Sequence, residues 1–179
     1  MERSIALISL LLVGSLSLTV WAAQVPKVVE VEQLEDNLFV LRGAGGGGNT
    51  AVFVTTTGVV VVDSKNPGWG PPLLAQINAL TSNPITTLIN THSHHDHVSG
   101  NVAFPAAVDF VAHETTKANM EVMRAYSGRT EPPANVFADT AGHGLPTRTF
   151  RDRMSLGDGG DRVDLYYFGP GHTGGDTWV

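Results

Sequence analysis

The amino-acid sequence predicts an α/β fold in which strands and helices form separate layers. Short segments rich in valine and phenylalanine, such as "NLFVLRG" (37–43) and "AVFVTTTGVVVVDS" (51–64), have the composition of strands. Later in the chain, "GPPLLAQINALTS" (70–82) carries apolar residues at helical spacing and is followed by further strand-like segments. Strands that alternate with helices indicate layers of sheet and helix packed on one another.

The first half of the chain predicts a hairpin, a helix and a third strand. The residues "TTTG" (55–58) separate two valine-rich stretches and predict the hairpin turn. The segment 70–82 predicts a helix because two prolines suit its first turn. Its apolar face consists of Leu73, Leu74, Ile77 and Leu80. The stretch "PITTLIN" (84–90) then predicts a strand that runs directly into a group of histidines.

The second half continues the alternation. The segment "AAVDFVA" (106–112) predicts a strand and "ETTKANMEVMRAY" (114–126) predicts a helix. Residues 128–147, rich in proline and glycine, predict a long loop. A strand is expected at "RVDLYYFGP" (162–170), and "TWV" (177–179) begins another.

Length and composition limit the classes of function. The chain has 179 residues, 42% of them hydrophobic, and a net charge of −6, which is typical of one globular domain. No stripe of lysine or arginine is present, so nucleic acid and anionic membrane surfaces are excluded as partners. With no cysteine, the chain has no disulfides, and any metal must bind through nitrogen and oxygen.

The first residues have the features of a signal peptide. The segment 1–23 contains an early arginine, an apolar run over 5–20 and two small residues, Ala22 and Ala23, where cleavage is expected. A membrane anchor is the alternative, but the run is short for a spanning helix, which needs about 20 apolar residues. We therefore expect a periplasmic or extracellular protein with one domain over 24–179, which contacts the membrane only through the signal segment.

The segment "NTHSHHDHVSGN" (90–101) concentrates four of the seven histidines and one aspartate. In an extended segment, residues separated by one position point the same way, so His92 and His94 can bind one ion. A tight turn afterwards would direct Asp96 and His97 towards a second position. His95 would then face outward and is predicted to support the ligands or to line the rim of the site, and not to bind metal. A charged loop without metal and a purely structural metal site are the alternatives.

A second signal lies in "FGPGHTGGDTWV" (168–179). His172 is flanked by glycines that allow a sharp bend, and it supplies a third imidazole for the first ion. Three protein ligands leave one position open, which is the arrangement of catalytic zinc. Asp176 is expected to cap this loop and not to bind metal. His113 and His143 lie outside these motifs and are predicted to be surface residues, with a substrate contact at the rim of the site as the alternative for His143.

These motifs resemble the metallo-β-lactamase superfamily. The resemblance rests on "THSHHDH", on the preceding strand end "VVVVDSK" and on the later "GPGHTGGDT", and it covers roughly residues 28–179. It implies a four-layer αββα sandwich with a metal site at one end of its two sheets. His92, His94 and His172 resemble the ligands of the first metal. Asp96 and His97 resemble part of the second set, and Asp63 resembles an aspartate that supports the metal loop by hydrogen bonding.

The same resemblance predicts that the chain is an N-terminal fragment of a longer domain. A full domain of this superfamily continues with further strands and helices beyond Val179. It also supplies a final histidine for the second metal and, in most branches, an aspartate that bridges the two ions.

The resemblance implies a secreted zinc-dependent hydrolase with two zinc ions in the full-length protein. A metal-bound hydroxide would attack an amide, lactam, ester or thioester carbonyl, and Asp96 would be the catalytic residue that orients it. A thioesterase of the glyoxalase II type and a lactonase are alternatives. A mononuclear iron persulfide dioxygenase and an inactive metal-binding fragment are alternatives from other classes. The sequence does not indicate an oligomeric state.

Overall fold

A mixed seven-stranded sheet forms the centre of the protein in the computed structural model, which describes residues 26–125, 128 and 130–179. The strands lie side by side in chain order, antiparallel from the first to the fourth and parallel from the fourth to the seventh. They are β1 (Glu30–Glu35), β2 (Leu38–Arg42), β3 (Thr50–Val54), β4 (Val59–Val62), β5 (Ile85–Ile89), β6 (Asp109–His113) and β7 (Arg148–Phe150). The predicted signal peptide lies outside the described residues.

A second, two-stranded sheet packs near one face of the first. It consists of β8 (Arg153–Leu156) and β9 (Val163–Tyr166), paired antiparallel. The strand predicted over 162–170 is thus shorter than expected. The strand expected to begin at 177–179 is reduced to a single bridge between Tyr166 and Trp178.

The helices connect the parallel strands. They are α1 (Gly70–Leu80), α2 (His95–Val98), a 3-10 helix (Ser99–Ala103), α3 (Glu114–Val122) and α4 (Val136–Asp139). The helix predicted over 114–126 ends early because Met123 has a left-handed backbone with φ 45°. The loop predicted over 128–147 contains α4, whose first amides are capped by the side chain of Asn135.

Alternation along the strands divides the core between the two faces of the large sheet. Val59 and Val61 of β4 face α1, while Val60 faces the two-stranded sheet. The α1 side consists of Val29, Leu41, Val52, Val59, Val61, Trp69, Leu73, Ile77, Leu88, Phe104, Val108 and Phe110. The opposite side consists of Val60, Ile89, Val111, Phe150, Leu156 and Leu165.

These faces produce three layers within the described residues: helices, the large sheet and the small sheet. The predicted α/β class is confirmed. The three layers correspond to the first three of the αββα sandwich that the superfamily resemblance implies. Among the described residues, no helix is both long enough and apolar enough to cross a bilayer.

Candidate metal centre

The candidate site lies where the parallel strands of the large sheet end. Asp63 directly follows β4, and the histidine segment 90–97 directly follows β5. Because the carboxyl ends of parallel strands meet at one edge of a sheet, the fold brings these residues together. His172 arrives from the loop after β9, and that loop is attached to the same edge by a hydrogen bond from the amide of Thr177 to the carbonyl of Thr91 at 2.7 Å.

Three imidazoles converge at this edge. Ligand nitrogens of His92, His94 and His172 lie within 4.8 Å of one another, and Nε2 of His172 is 3.0 Å from Nδ1 of His94. Nε2 of His92 is buried and has no hydrogen-bond partner among the described residues. A buried polar atom without a partner is costly, and a metal ion would satisfy it. The residues therefore fit an ion held by three nitrogens.

Hydrogen bonding determines which nitrogen of His92 is available. The hydroxyl of Thr91 lies 2.6 Å from Oδ2 of Asp63, a carboxylate that can only accept, so the single hydroxyl proton is donated there. The hydroxyl oxygen of Thr91 also lies 3.0 Å from Nδ1 of His92. Because its proton is already donated to Asp63, this oxygen must accept a hydrogen bond from Nδ1. Nδ1 of His92 therefore carries the proton, and its Nε2 keeps a lone pair directed into the site.

The pKa values of the first two histidines favour the metal-binding form. Burial is the main cause that lowers the pKa of His92 to about 4, and the neighbouring His97 lowers it further. Burial also lowers the pKa of His94, with His172 adding to the effect. Both imidazoles are therefore neutral near pH 7, as a metal ligand must be.

Asp63 orients His97. The residue is 3% exposed, and its carboxylate accepts from the amide of Thr91 at 2.8 Å and lies 2.7 Å from Nδ1 of His97. By distance alone, Asp63 could share an ion with His92 and His97. Its oxygens, however, already accept three hydrogen bonds, so we interpret Asp63 as a support for the His97 ring. Burial lowers the pKa of His97, but the hydrogen bond and charge of Asp63 outweigh it and the net pKa is raised.

Asp96 and His95 lie in the short helix α2. Oδ2 of Asp96 is 3.7 Å from Nε2 of His97, and the Asp96 side chain is 33% exposed. The described residues form two groups of converging ligand atoms, and neither group includes Asp96 or His95. Asp96 is thus close to His97 without sharing a compact cluster with it.

A cavity of about 770 Å³ opens beside the three imidazoles. A cavity of this size accommodates a small organic molecule. Its lining comprises Gly47, Asn66, Ser93, His94, His95, Asp96, Asn119, Arg124, Ala125, His172 and Thr173. His95 is therefore a wall residue of the cavity, as the predicted rim position requires.

The two remaining histidines are not surface residues, which corrects the prediction from sequence. His113 is 3% exposed, stacks on Tyr167 with ring centroids 4.0 Å apart and accepts from the amide of Thr115. His143 is half-buried, and its Nε2 lies 2.9 Å from the carbonyl of Phe104. Both histidines contribute to packing away from the cavity.

Two further residues support the metal-binding histidines, and only one of them, Asp176, was predicted from the sequence. Asp176 accepts from the amides of Gly171 and Thr173 and so caps the His172 loop, as expected. Thr91, which sets the tautomer of His92, was not anticipated. A hydroxyl residue immediately before the first ligand histidine is the only sequence signal that pointed to it.

Comparison with known proteins identifies the family. The family model of the metallo-beta-lactamase superfamily matches residues 43–179. The chain belongs to this superfamily.

Individual relatives agree with the superfamily assignment. The metallo-beta-lactamase type 2 of Elizabethkingia meningoseptica is 26% identical in an alignment over 175 residues, and the match covers 91% of this chain and 61% of that protein. A metallo-beta-lactamase from Pontibacter korlensis has a TM-score of 0.63 at 21% identity over 84% of this chain and 65% of that one. A subclass B3 metallo-beta-lactamase of Bradyrhizobium japonicum also has a TM-score of 0.63, at 22% identity over 83% and 55%. The chain thus spans roughly three fifths of the length of these superfamily members, and the structures establish a shared fold.

Proposed function

We propose that the protein is a metal-dependent hydrolase that cleaves a carbonyl compound in the cavity beside the histidine segment. The observation that carries the proposal is the convergence of His92, His94 and His172 on one point, with a buried His92 nitrogen that has no other partner. Membership of the superfamily supports the same reaction class. An open position beside three imidazoles is the arrangement that metal-assisted hydrolysis requires.

In this proposal two zinc ions bind at adjacent positions. His92, His94 and His172 hold the first, and Asp96 and His97 contribute to the second. Neutral imidazoles and a carboxylate, with no sulfur, form a suitable donor set for zinc. Zinc supplies Lewis acidity there, because it lowers the pKa of water and polarises a carbonyl oxygen.

The other residues of the site position these groups. Thr91 and Asp63 keep His92 and His97 in the tautomer and orientation that metal binding needs. Asp96 is partly exposed on the cavity wall. In the proposed mechanism it accepts a hydrogen bond from the attacking water and holds it towards the substrate carbonyl. In this role Asp96 is the catalytic residue.

The substrate we propose is a small molecule with an amide, lactam, ester or thioester carbonyl. The relatives are named metallo-beta-lactamases, which makes a β-lactam the first compound to test. The size of the cavity agrees with a small molecule and not with a folded macromolecule.

Metal analysis tests the proposed function directly. We expect the protein at its full natural length, purified without chelator, to contain close to two zinc ions. Removing them should abolish hydrolysis of a chromogenic β-lactam or a thioester, and adding zinc should restore it. A metal-free preparation that hydrolyses these compounds would refute the metal mechanism. A zinc-loaded preparation that hydrolyses no β-lactam, ester, lactone or thioester would refute the hydrolase.

Acidification should release the two ions in sequence. The pKa of His97 is raised above 6.5, whereas the pKa of His92 is lowered to about 4. As the pH falls, protonation of His97 should therefore displace the second ion first, and the first ion should be released at a lower pH. Zinc content after gel filtration at each pH gives the profile. In a His97→Gln control, only the more acidic release should remain, and simultaneous loss of both ions in the unsubstituted protein would contradict the assignment.

A further inference from the structure

Lys65 is a completely buried lysine that the site described above does not use. Its side chain is 0% exposed, and its backbone is left-handed with φ 70°. Residues other than glycine seldom adopt this conformation, and where they do, surrounding contacts hold them there. An ammonium group is also costly to bury without a partner. The partner of Lys65 is the carbonyl of Gly48, which accepts from Nζ at 2.6 Å.

Gly48 belongs to the glycine loop, defined here as residues 43–49 between β2 and β3. The loop rests on the aliphatic part of Lys65, since a Cβ added to Gly46 would lie 3.1 Å from Cδ of Lys65. The backbone next to Lys65 also holds the loop, because the amide of Asn66 donates to the carbonyl of Gly46 at 2.9 Å. The glycine loop is therefore attached to the end of β4.

The other side of the glycine loop contacts the proposed second metal position. The amide of Gly48 donates to the carbonyl of Asp96 at 3.1 Å. A Cβ added to Gly48 would lie 2.2 Å from Cε1 of His97, and one added to Gly47 would lie 2.5 Å from Cβ of Asp96. The backbone of the loop thus packs directly on both side chains, with no space for a methyl group between them.

The His97 ring is consequently held from two directions. Asp63 binds its Nδ1 at 2.7 Å, and the backbone of Gly48 packs against its Cε1. Ser64 binds the His97 carbonyl through its amide at 2.7 Å. Residues 63–65 therefore hold His97 directly through Asp63 and Ser64, and indirectly through Lys65 and the glycine loop.

We propose that Lys65 is a positioning residue: by binding the Gly48 carbonyl, it holds the glycine loop against Asp96 and His97 and so fixes their side chains for the second metal ion. This inference rests on the proposed function, in which Asp96 and His97 contribute to a second ion. Lys65 contacts neither the ion nor the substrate.

The test compares Lys65→Met with the unsubstituted protein at its full natural length. Methionine keeps most of the side-chain volume but removes the donor and the charge. Without metal, the Gly48 amide should exchange its hydrogen at least about tenfold faster, because the loop is released from Asp96. With zinc titrated against a chromogenic chelator, the dissociation constant of the second ion should rise by about tenfold or more, while that of the first stays within about twofold.

Lys27→Met is the matched control. Lys27 is an exposed lysine whose Nζ also donates to a backbone carbonyl, that of Gly68 at 2.9 Å. Its substitution removes the same charge and the same type of bond, and Lys27 is linked to the glycine loop only through its position over the Trp69 ring. Both zinc dissociation constants and the exchange of the Gly48 amide should be unchanged.

Gly48→Ala is a second variant that displaces the loop while leaving Lys65 intact. It tests the same inference if Lys65→Met does not fold. It should show the same selective weakening of the second ion. The inference is overturned if Gly48 exchange is unchanged in Lys65→Met, if both ions weaken equally, or if Gly48→Ala leaves both affinities unchanged. If the unsubstituted protein binds a single ion, the two-ion proposal itself has failed, and this is visible before any variant is compared.

Discussion

His92→Ala will lose bound metal and catalytic activity together. The substitution removes the only one of the three imidazoles whose ligand nitrogen is buried without another partner, and it leaves His94 and His172 alone on the first ion. Substitution of residues that merely support ligands costs about 10–100-fold, so we expect loss of a direct ligand to lower activity by more than about a hundredfold. Zinc content and turnover measured on the same preparation give the result.

Asp96→Asn should separate these two properties. The carboxylate is outside the three-histidine cluster, so the first ion should remain bound. A group that holds the attacking water contributes on the order of 10²–10⁴ to the rate. We therefore expect activity to fall by at least about a hundredfold with the first zinc retained. Equal losses of first-site zinc and activity would contradict the role given to Asp96.

His95→Ala is the control for both variants. His95 is adjacent to these residues in sequence and lines the cavity, but it belongs to neither group of converging ligand atoms. Zinc content should be unchanged, and activity should change by less than about tenfold. If His95→Ala abolished zinc binding and His94→Ala did not, the assignment of ligands within the histidine segment would be wrong.

Gly100→Ala should cause the largest loss of stability among the glycine substitutions. A Cβ at Gly100 would lie 1.9 Å from the carbonyl oxygen of Ser64, and its amide donates to the carbonyl of Lys65 at 3.1 Å. The obstacle is backbone that is fixed at the end of β4, so the methyl group can be accommodated only by moving the strand end or the histidine segment. Overpacking typically costs about 1–3 kcal/mol, and we expect a loss near the upper end of that range because the obstacle is backbone. Denaturant unfolding measures the loss.

Gly160→Ala is the matched control for this substitution. A Cβ there meets no atom within 4 Å, and the position is exposed. We expect a change in unfolding free energy within about 0.5 kcal/mol. Equal stability of the two variants would show that the close approach of Gly100 to Ser64 does not exist in solution.

The sequence was most informative where the structure depends on local spacing. The alternation that places His92 and His94 on one side of an extended segment needs no knowledge of the rest of the fold. The valine-rich strands and the helix over 70–80 follow from periodicity alone. For these elements, the structure confirms the boundaries to within a few residues.

The missed elements lack such a pattern. All residues of β1 are exposed, and β7 has one buried residue in three, so neither strand shows the apolar alternation that would predict it. The burial of His113 arises from stacking on Tyr167, which lies 54 residues later in the sequence. Contacts between distant segments of this kind are tertiary, and the sequence around either residue contains no sign of them.

The pairing of His94 with His172 also has a consequence for the topology of the chain. The two residues are 78 positions apart, and they belong to loops that follow different sheets. An ion bound by both would close a ring of the chain between them, within 179 residues that contain no cysteine. A permanent cross-link around a ring of this length removes about 4–5 kcal/mol of chain entropy from the unfolded state. The metal would thus be a reversible cross-link. Its contribution to stability would depend on the free zinc concentration, whereas that of a disulfide depends on redox conditions.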